Sequence, residues 1–234
     1  MPTEKELQEL ASQLSNPKGD FGVELATEMG KTNLGMTKSA MHALRIKPGD
    51  QILEIGHGNA AHLGYLLSLS PEISYTGLEI SKTMHQEAKD LNSHLAKEGM
   101  IRFCRYEGEK IPFVDNSFTK IFTVNTVYFW INPTAFAKEI GRVLHPSGRF
   151  VLAFGQKTFM KNLPFTQFGF RLYDTSDLVD LLEKAGMLLE NAEDIQEEVR
   201  SRSGESLKRD YTVLEFSVQQ EIQKVHRNEG LSFL

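Results

Sequence analysis

The chain reads as an α/β protein: a doubly wound, mostly parallel sheet with a C-terminal antiparallel hairpin and an N-terminal helical cap. Three observations predict this. From residue 51 onward, short apolar runs alternate with helix-length amphipathic stretches, the pattern of parallel strands joined by helical crossovers. Segments 187–199 and 209–218 instead read as two long strands, joined by the polar stretch Arg200-Ser-Arg-Ser-Gly-Glu-Ser206, short enough for a hairpin. Residues 1–50 precede the first strand and carry helical periodicity alone, so they form an added cap, and 51–234 form one folding unit.

The elements follow in order. Thr3-Glu-Lys-Glu6 is a capping box, and Leu7, Leu10, Ala11 and Leu14 share one face of the helix it opens. Asn16-Pro-Lys-Gly19 stops that helix. A second helix is expected over Phe21 to Met29, ending at Gly30. A third starts near Thr32, carries Leu34, Met36, Ala40, Met41 and Leu44, and finishes at Lys47-Pro-Gly-Asp50. Strand 51–55 then leads to helix 60–69, strand 74–79, helix 82–97 and strand 100–105. Strand 119–125 leads to helix 133–145 and strand 149–154. Asn132-Pro133 supplies an N-cap with proline at the first helical position, and Pro146-Ser-Gly148 the stop.

Bulk properties narrow the function. The 234 residues suffice for one domain with an ample core. No apolar run approaches the ~20 residues that span a bilayer; the longest, Ile121 to Ile131, carries Asn125. Met1-Pro-Thr-Glu-Lys-Glu lacks the apolar core of a signal peptide. Cys104, the single cysteine, excludes an internal disulfide and a cysteine-rich metal site. A formal charge of −5 gives no electrostatic footprint for nucleic acid. The expectation is a cytoplasmic protein with no nucleic-acid partner, no membrane insertion and no metal; its oligomeric state is left open.

The most informative segment is Gln51-Ile-Leu-Glu-Ile-Gly-His-Gly-Asn-Ala60, followed by Glu79 in Tyr75-Thr-Gly-Leu-Glu-Ile-Ser81. A buried strand ending in a glycine turn, a helix, and a second strand closing on a carboxylate make a nucleotide-ribose arrangement. Backbone N–H groups of the turn and the helix N-terminus approach the ligand, and the acid accepts the ribose hydroxyls. Gly56-x-Gly58-x-x-Ala61 with Glu79 fits a nicotinamide cofactor. Glu54-x-Gly56-x-Gly58-x-Ala60 fits a second nucleotide-binding pattern equally well, in which an acid stands two residues before the first glycine.

On the second pattern the chain resembles class I S-adenosylmethionine-dependent methyltransferases, which have a Rossmann-like sheet. Glu107-Gly-Glu-Lys-Ile-Pro-Phe113, Asp115-Asn-Ser-Phe118 and Ile121 to Trp130 look like the family's adenine loop and fourth strand. Lys138 to Leu152 is similar to its next helix, turn and fifth strand, and Tyr173 to Met187 to the helix before the last hairpin. The match runs in order over about residues 45–190 and is closest to the small-molecule, quinone-biosynthesis-like branch. Ala60 replaces a third glycine and Thr119 stands where aspartate is common.

The resemblance implies S-adenosylmethionine as cofactor, held by Glu54, Gly56, Gly58, Asn59, Glu79, Ile80, Glu107, Gly108 and Asn125. Glu79 would take the ribose, Glu54 would orient the turn and the amino acid end, and Glu107 with Gly108 would read the adenine edge. Glutamate at 107 replaces the usual aspartate. Methyl transfer is an in-line displacement that needs alignment and no covalent nucleophile. Tyr128 and His57 are the candidate general bases. His62 and His145 read as structural or exposed. Tyr128, Trp130, Phe165 and Arg171 are the candidate acceptor pocket, suited to a small aromatic or apolar acceptor. The alternatives are a cofactor-binding regulatory or scaffolding protein without catalysis, and a nicotinamide oxidoreductase.

Overall fold

The structure, a computed structural model, describes residues 2–95, 100–200 and 206–218. Three N-terminal helices come first: α1 (Glu4–Ser15), α2 (Gly19–Thr32) and α3 (Leu34–Ala43). Then follow β1 (Gln51–Ile55), α4 (Leu63–Leu69), β2 (Ser74–Glu79), α5 (Lys82–Leu91), β3 (Ile101–Arg105) and β4 (Phe118–Val124). The chain continues through α6 (Pro133–Val143), β5 (Leu144–Gly155), α7 (Lys157–Met160), α8 (Thr175–Lys184), β6 (Met187–Arg200) and β7 (Ser206–Val218). The strands form one sheet in the order β3-β2-β1-β4-β5-β7-β6. The first five are parallel; β7 runs antiparallel to β5 and to β6. The predicted α/β architecture with its terminal hairpin is what the chain forms. Segment 201–205 of the expected hairpin connection lies outside the described residues.

Alternation along β1 sends its residues to two cores. Ile52 joins Phe122, Val151, Leu63, Leu66 and Met41 on one face, whereas Leu53 and Ile55 join Ile140, Phe150 and Leu178 on the other. Met36, Ala40, Met41 and Leu44 are fully buried in the first of these cores. So α3 packs directly on the sheet, in the same core as Ile52, Phe122 and Val151. It is α1 and α2 that form the outer cover: Ala11 is the buried residue of α1, and Gly22 and Leu25 those of α2.

Several boundaries differ from expectation for local reasons. The capping box at Thr3 forms as read, with Thr3 N–H donating to the Glu6 carboxylate and Glu6 N–H donating to Thr3 Oγ1. The second helix runs through Gly30 to Thr32, where Arg209 donates to the Thr32 carbonyl and to Asn33 Oδ1. Such a cation at a helix C-terminus satisfies exposed carbonyls and complements the dipole. Helix α4 begins at Leu63 because Gly56, Gly58 and Ala60 all take positive φ, at 75°, 57° and 49°. Helix α5 stops at Leu91: Asn92 caps it and its side-chain amide donates to the carbonyls of Ala60 and Ala88. The expected end of that helix, at 96–97, lies outside the described residues. Pro146-Ser-Gly148 does not separate helix from strand. It forms a bulge within β5, where the pairing jumps from Phe118↔Leu144 to Lys120↔Arg149.

Candidate functional site

The sheet order reverses at β1, which lies between β2 and β4, so a crevice opens at the carboxyl ends of these three strands. Each strand delivers one singled-out group there. After β1 comes the glycine turn, at the end of β2 stands Glu79, and after β4 comes Asn125, itself at φ 58°. The turn is fixed to β2 by Gly56 N–H donating to the Leu78 carbonyl at 2.8 Å.

Glu79 is 5% exposed, and both its oxygens face backbone donors. Oε2 accepts from Gly58 N–H at 3.0 Å and Oε1 from Ser81 N–H at 2.8 Å. The acid therefore links the glycine turn to the start of α5, where the Ser81 hydroxyl also donates to the Pro17 carbonyl of the cover. Burial pushes its pKa up, against the opposing pull of those N–H groups. Gly58 faces open space: a side chain there would meet nothing within 4 Å. At Gly56 the opposite holds, since a Cβ would collide with the Thr126 methyl group. Only the second glycine leaves bare backbone toward a ligand.

Ile80 and Gly108 lie side by side, a Cβ on Gly108 falling 3.5 Å from Ile80 Cγ2, with Gly108 at φ 85°. Glu107 does not join them. Its side chain is 90% exposed and pairs with Arg105 at 3.5 Å. Asn59 accepts from Ala61 N–H and lies beside Gly30 of α2, placing the cover directly over the turn. Asn125 is engaged within the crevice wall: Oδ1 accepts from Gly155 N–H at 3.2 Å, and Nδ2 lies 3.6 Å from Met36 Sδ.

Beneath the turn is a buried polar cluster. Glu54 Oε2 accepts from the Tyr75 hydroxyl at 2.5 Å and from His62 Nε2 at 2.8 Å. Burial acts to raise the Glu54 pKa, but the charge and hydrogen bond of His62 and the bond from Tyr75 outweigh it, leaving the acid below its ordinary range. His62 shifts the other way: burial disfavours its charge, and Glu54 outweighs that to raise it. Hence Glu54 is a satisfied buried acid, and His62 is its partner at the N-cap of α4. The strand's apolar neighbours Ile52, Leu53 and Ile55 do not leave it stranded, because β2 and α4 bring donors to its own face.

His57 occupies the same interior. Its ring packs at 5.0 Å from Phe103 and fills the space over Gly77, where a Cβ would lie 2.5 Å from Cδ2. Both ring nitrogens are buried, and neither makes a hydrogen bond of normal geometry among the described residues. Burial lowers its pKa to about 4. The geometry turns this imidazole away from the open crevice.

The aromatic residues after β4 divide similarly. Tyr128 is 3% exposed and donates to the Gly155 carbonyl at 3.1 Å and Asn125 Oδ1 at 3.2 Å. Burial raises its pKa above the ordinary tyrosine value, so it stays protonated at neutral pH. Trp130 is buried against Phe136, ring centroids 5.0 Å apart, and its N–H donates to Thr126. Phe165 is half-buried and meets Phe170, which also packs on Phe129 and Tyr128. Arg171 is exposed and touches this wall through its backbone N–H, which donates to the Tyr128 carbonyl. Thr123 and Thr126, both in the wall, were not among the expected site residues; no motif marks them, and only their packing against Gly56 and Ile55 does. His145 is exposed and bonds to Ser147, as expected. Among the described residues no helix is long and apolar enough to cross a membrane.

Comparisons with known proteins agree with this geometry. Residues 53–152 match the methyltransferase domain family model. An O-methyltransferase of Pyrenophora dematioidea is 26% identical over 131 residues, covering 56% of this chain and 46% of that protein. Cycloartenol-C-24-methyltransferase 1 of Oryza sativa subsp. japonica is 30% identical over 109 residues, covering 47% and 31%. The chain thus spans less than half the length of these curated relatives. A SAM-dependent methyltransferase from Aquifex aeolicus shares the fold with a TM-score of 0.62 at 19% identity, over 90% of this chain and 98% of that one. Strand order, glycine turn and the match over residues 53–152 converge on the class I S-adenosylmethionine-dependent methyltransferases as the family this chain is similar to.

Proposed function

We propose that the crevice binds S-adenosylmethionine and that the chain transfers its methyl group to a small-molecule acceptor. The observation that carries this reading is the meeting of the Glu79 carboxylate with the open backbone face of Gly58 at the sheet's crossover. When bound, the cofactor supplies a methyl group already activated on a sulfonium. Glu79 would accept from the ribose hydroxyls. Ile80 and Gly108 offer an apolar edge and bare backbone on which the adenine would lie. Glu107 remains a candidate for the adenine amine only by turning from its present exposed pairing with Arg105.

The chain's contribution to the reaction would be alignment and exclusion of water, worth roughly 7–11 kcal/mol when geometry is well set. Ala11 and Ser12 of the cover line one cavity with Phe168 and Gly169 of the 164–173 connection, and together these segments would shield the crevice mouth. Phe165, Phe170, Phe129 and Tyr128 give that connection an aromatic wall, which favours an aromatic or apolar acceptor. The rice relative is named for cycloartenol, an apolar acceptor, which agrees with such a pocket. Arg171, exposed at the rim, would meet an acidic substituent. Tyr128 orients Asn125 and Gly155 rather than accepting a proton. The reading includes a cytoplasmic setting and no nucleic-acid partner.

A second reading is binding without catalysis, favoured by one observation: His57 and Tyr128 are both enclosed, the imidazole lowered to a weak base and the phenol held protonated. Incubation with S-adenosylmethionine and a panel of phenols, quinols, amines and carboxylates separates the two. Release of S-adenosylhomocysteine with any acceptor supports transfer. Tight cofactor binding with no release across the panel supports the regulatory reading.

A further inference from the structure

We propose that Thr126 is a positioning residue for the cofactor, tying the glycine turn after β1 to the indole of Trp130. This deepens the reading of the crevice as the cofactor site and rests on it. Two contacts place Thr126 in this role. Its methyl group fills the space above Gly56, so closely that any side chain at 56 would displace it. Its hydroxyl lies 2.5 Å from Thr123 Oγ1 and 3.2 Å from Trp130 Nε1.

The direction of the hydrogen bonds follows by elimination. Thr123 donates its proton to the Ile55 carbonyl at 2.8 Å, so it can only accept from Thr126. Thr126 in turn accepts from the Trp130 N–H, because the indole nitrogen is a donor alone. The relay therefore runs from Trp130 through Thr126 and Thr123 to the carbonyl immediately before Gly56. Every hydroxyl proton in it is spent, and the Thr126 methyl group faces Gly56. A shift of the turn on ligand binding must pass into this relay, and its far end is the chain's single tryptophan.

The test uses S-adenosylhomocysteine as probe, calorimetry for affinity and Trp130 emission as a local reporter. In the wild type, binding should change the emission. Thr126→Val keeps the shape but cuts the relay; it should weaken binding roughly tenfold, the value of one buried hydrogen bond, and abolish the emission response. Thr126→Ser keeps the hydroxyl and gives up the methyl; it should retain the emission response while binding more weakly than wild type. Thr126→Val with affinity within about twofold of wild type and the same emission change would overturn the proposal, whatever happens to its melting temperature. If that variant fails to fold, Thr126→Ser decides: loss of the emission response despite an intact hydroxyl overturns it. A wild type that gives no calorimetric signal removes the cofactor reading itself, an outcome separate from equal binding by wild type and variants.

Discussion

Replacing Glu79 by alanine separates affinity from stability in a way the structure makes quantitative. Both carboxylate oxygens already hold a backbone donor, from Gly58 at 3.0 Å and Ser81 at 2.8 Å. A ribose diol would add two hydroxyl donors, each charge-assisted bond contributing roughly 1.5–3 kcal/mol. Because the acid is already half satisfied, the lower end applies. The total is about 3 kcal/mol, on the order of a hundredfold in Kd. Stability should respond far less. Burial raises the Glu79 pKa, so the folded carboxyl holds its proton more tightly than the unfolded one. Its contribution is then fully present below the unfolded pKa and lost as pH rises from there through the folded one. At neutral pH the alanine variant sheds that cost while stranding two N–H groups, and the opposing effects leave a net change of about 1 kcal/mol. Titration calorimetry with S-adenosylhomocysteine, alongside urea unfolding, reads both quantities. Equal affinity in wild type and variant refutes the argument, as does a collapse in stability large enough to explain the loss of binding.

Other consequences follow from the buried cluster and the cover. His57, with its pKa lowered to about 4 from 6.5, favours the folded state when neutral; stability should fall as pH drops from about 6.5 toward 4, by about 3 kcal/mol at most. His57→Phe should flatten that acid arm in pH-dependent unfolding; an unchanged slope contradicts the burial. His62 is raised, so its contribution is present below its unfolded pKa and lost on the alkaline side, and His62→Gln should flatten that opposite arm. Tyr128→Phe should cost about 1 kcal/mol and leave the pH profile of any methyl transfer unmoved; a large loss of turnover in a folded variant would make Tyr128 a reacting group. Arg209→Met removes the partner of Glu197 and the donor to Thr32, with the arginine side chain 8% exposed. Urea denaturation should show a loss of about 3 kcal/mol, whereas a change near zero would mean the hairpin does not anchor the cover.

The sheet was readable because its signals are local. Apolar runs at 51–55, 74–79 and 119–125, the Asn132-Pro133 cap and the Thr3 capping box each depend on neighbours within a turn of chain, and each forms where expected. The meeting of Glu79 with the glycine turn was also legible, since strand, turn and strand fix their relative places through parallel pairing. What escaped depends on side chains from distant segments sharing a face. Glu54 was read as orienting the turn, and its partners Tyr75 from β2 and His62 at the N-cap of α4 come from beyond its own strand. His57 was placed in the turn correctly, but its ring turns inward because Gly77 on the next strand leaves it room. Gly56 promised open backbone, and Thr126, just past β4, fills that space. The register that brings these groups together lies in the pairing of β1 with β4.

The most direct measurement is a crystal structure with S-adenosylhomocysteine bound. Its ribose hydroxyls should lie within hydrogen-bond distance of the Glu79 carboxylate, its backbone-facing side over Gly58, and its adenine between Ile80 and Gly108. A ligand lodged away from the crossover of β1 and β4, or a diol untouched by Glu79, would contradict this placement.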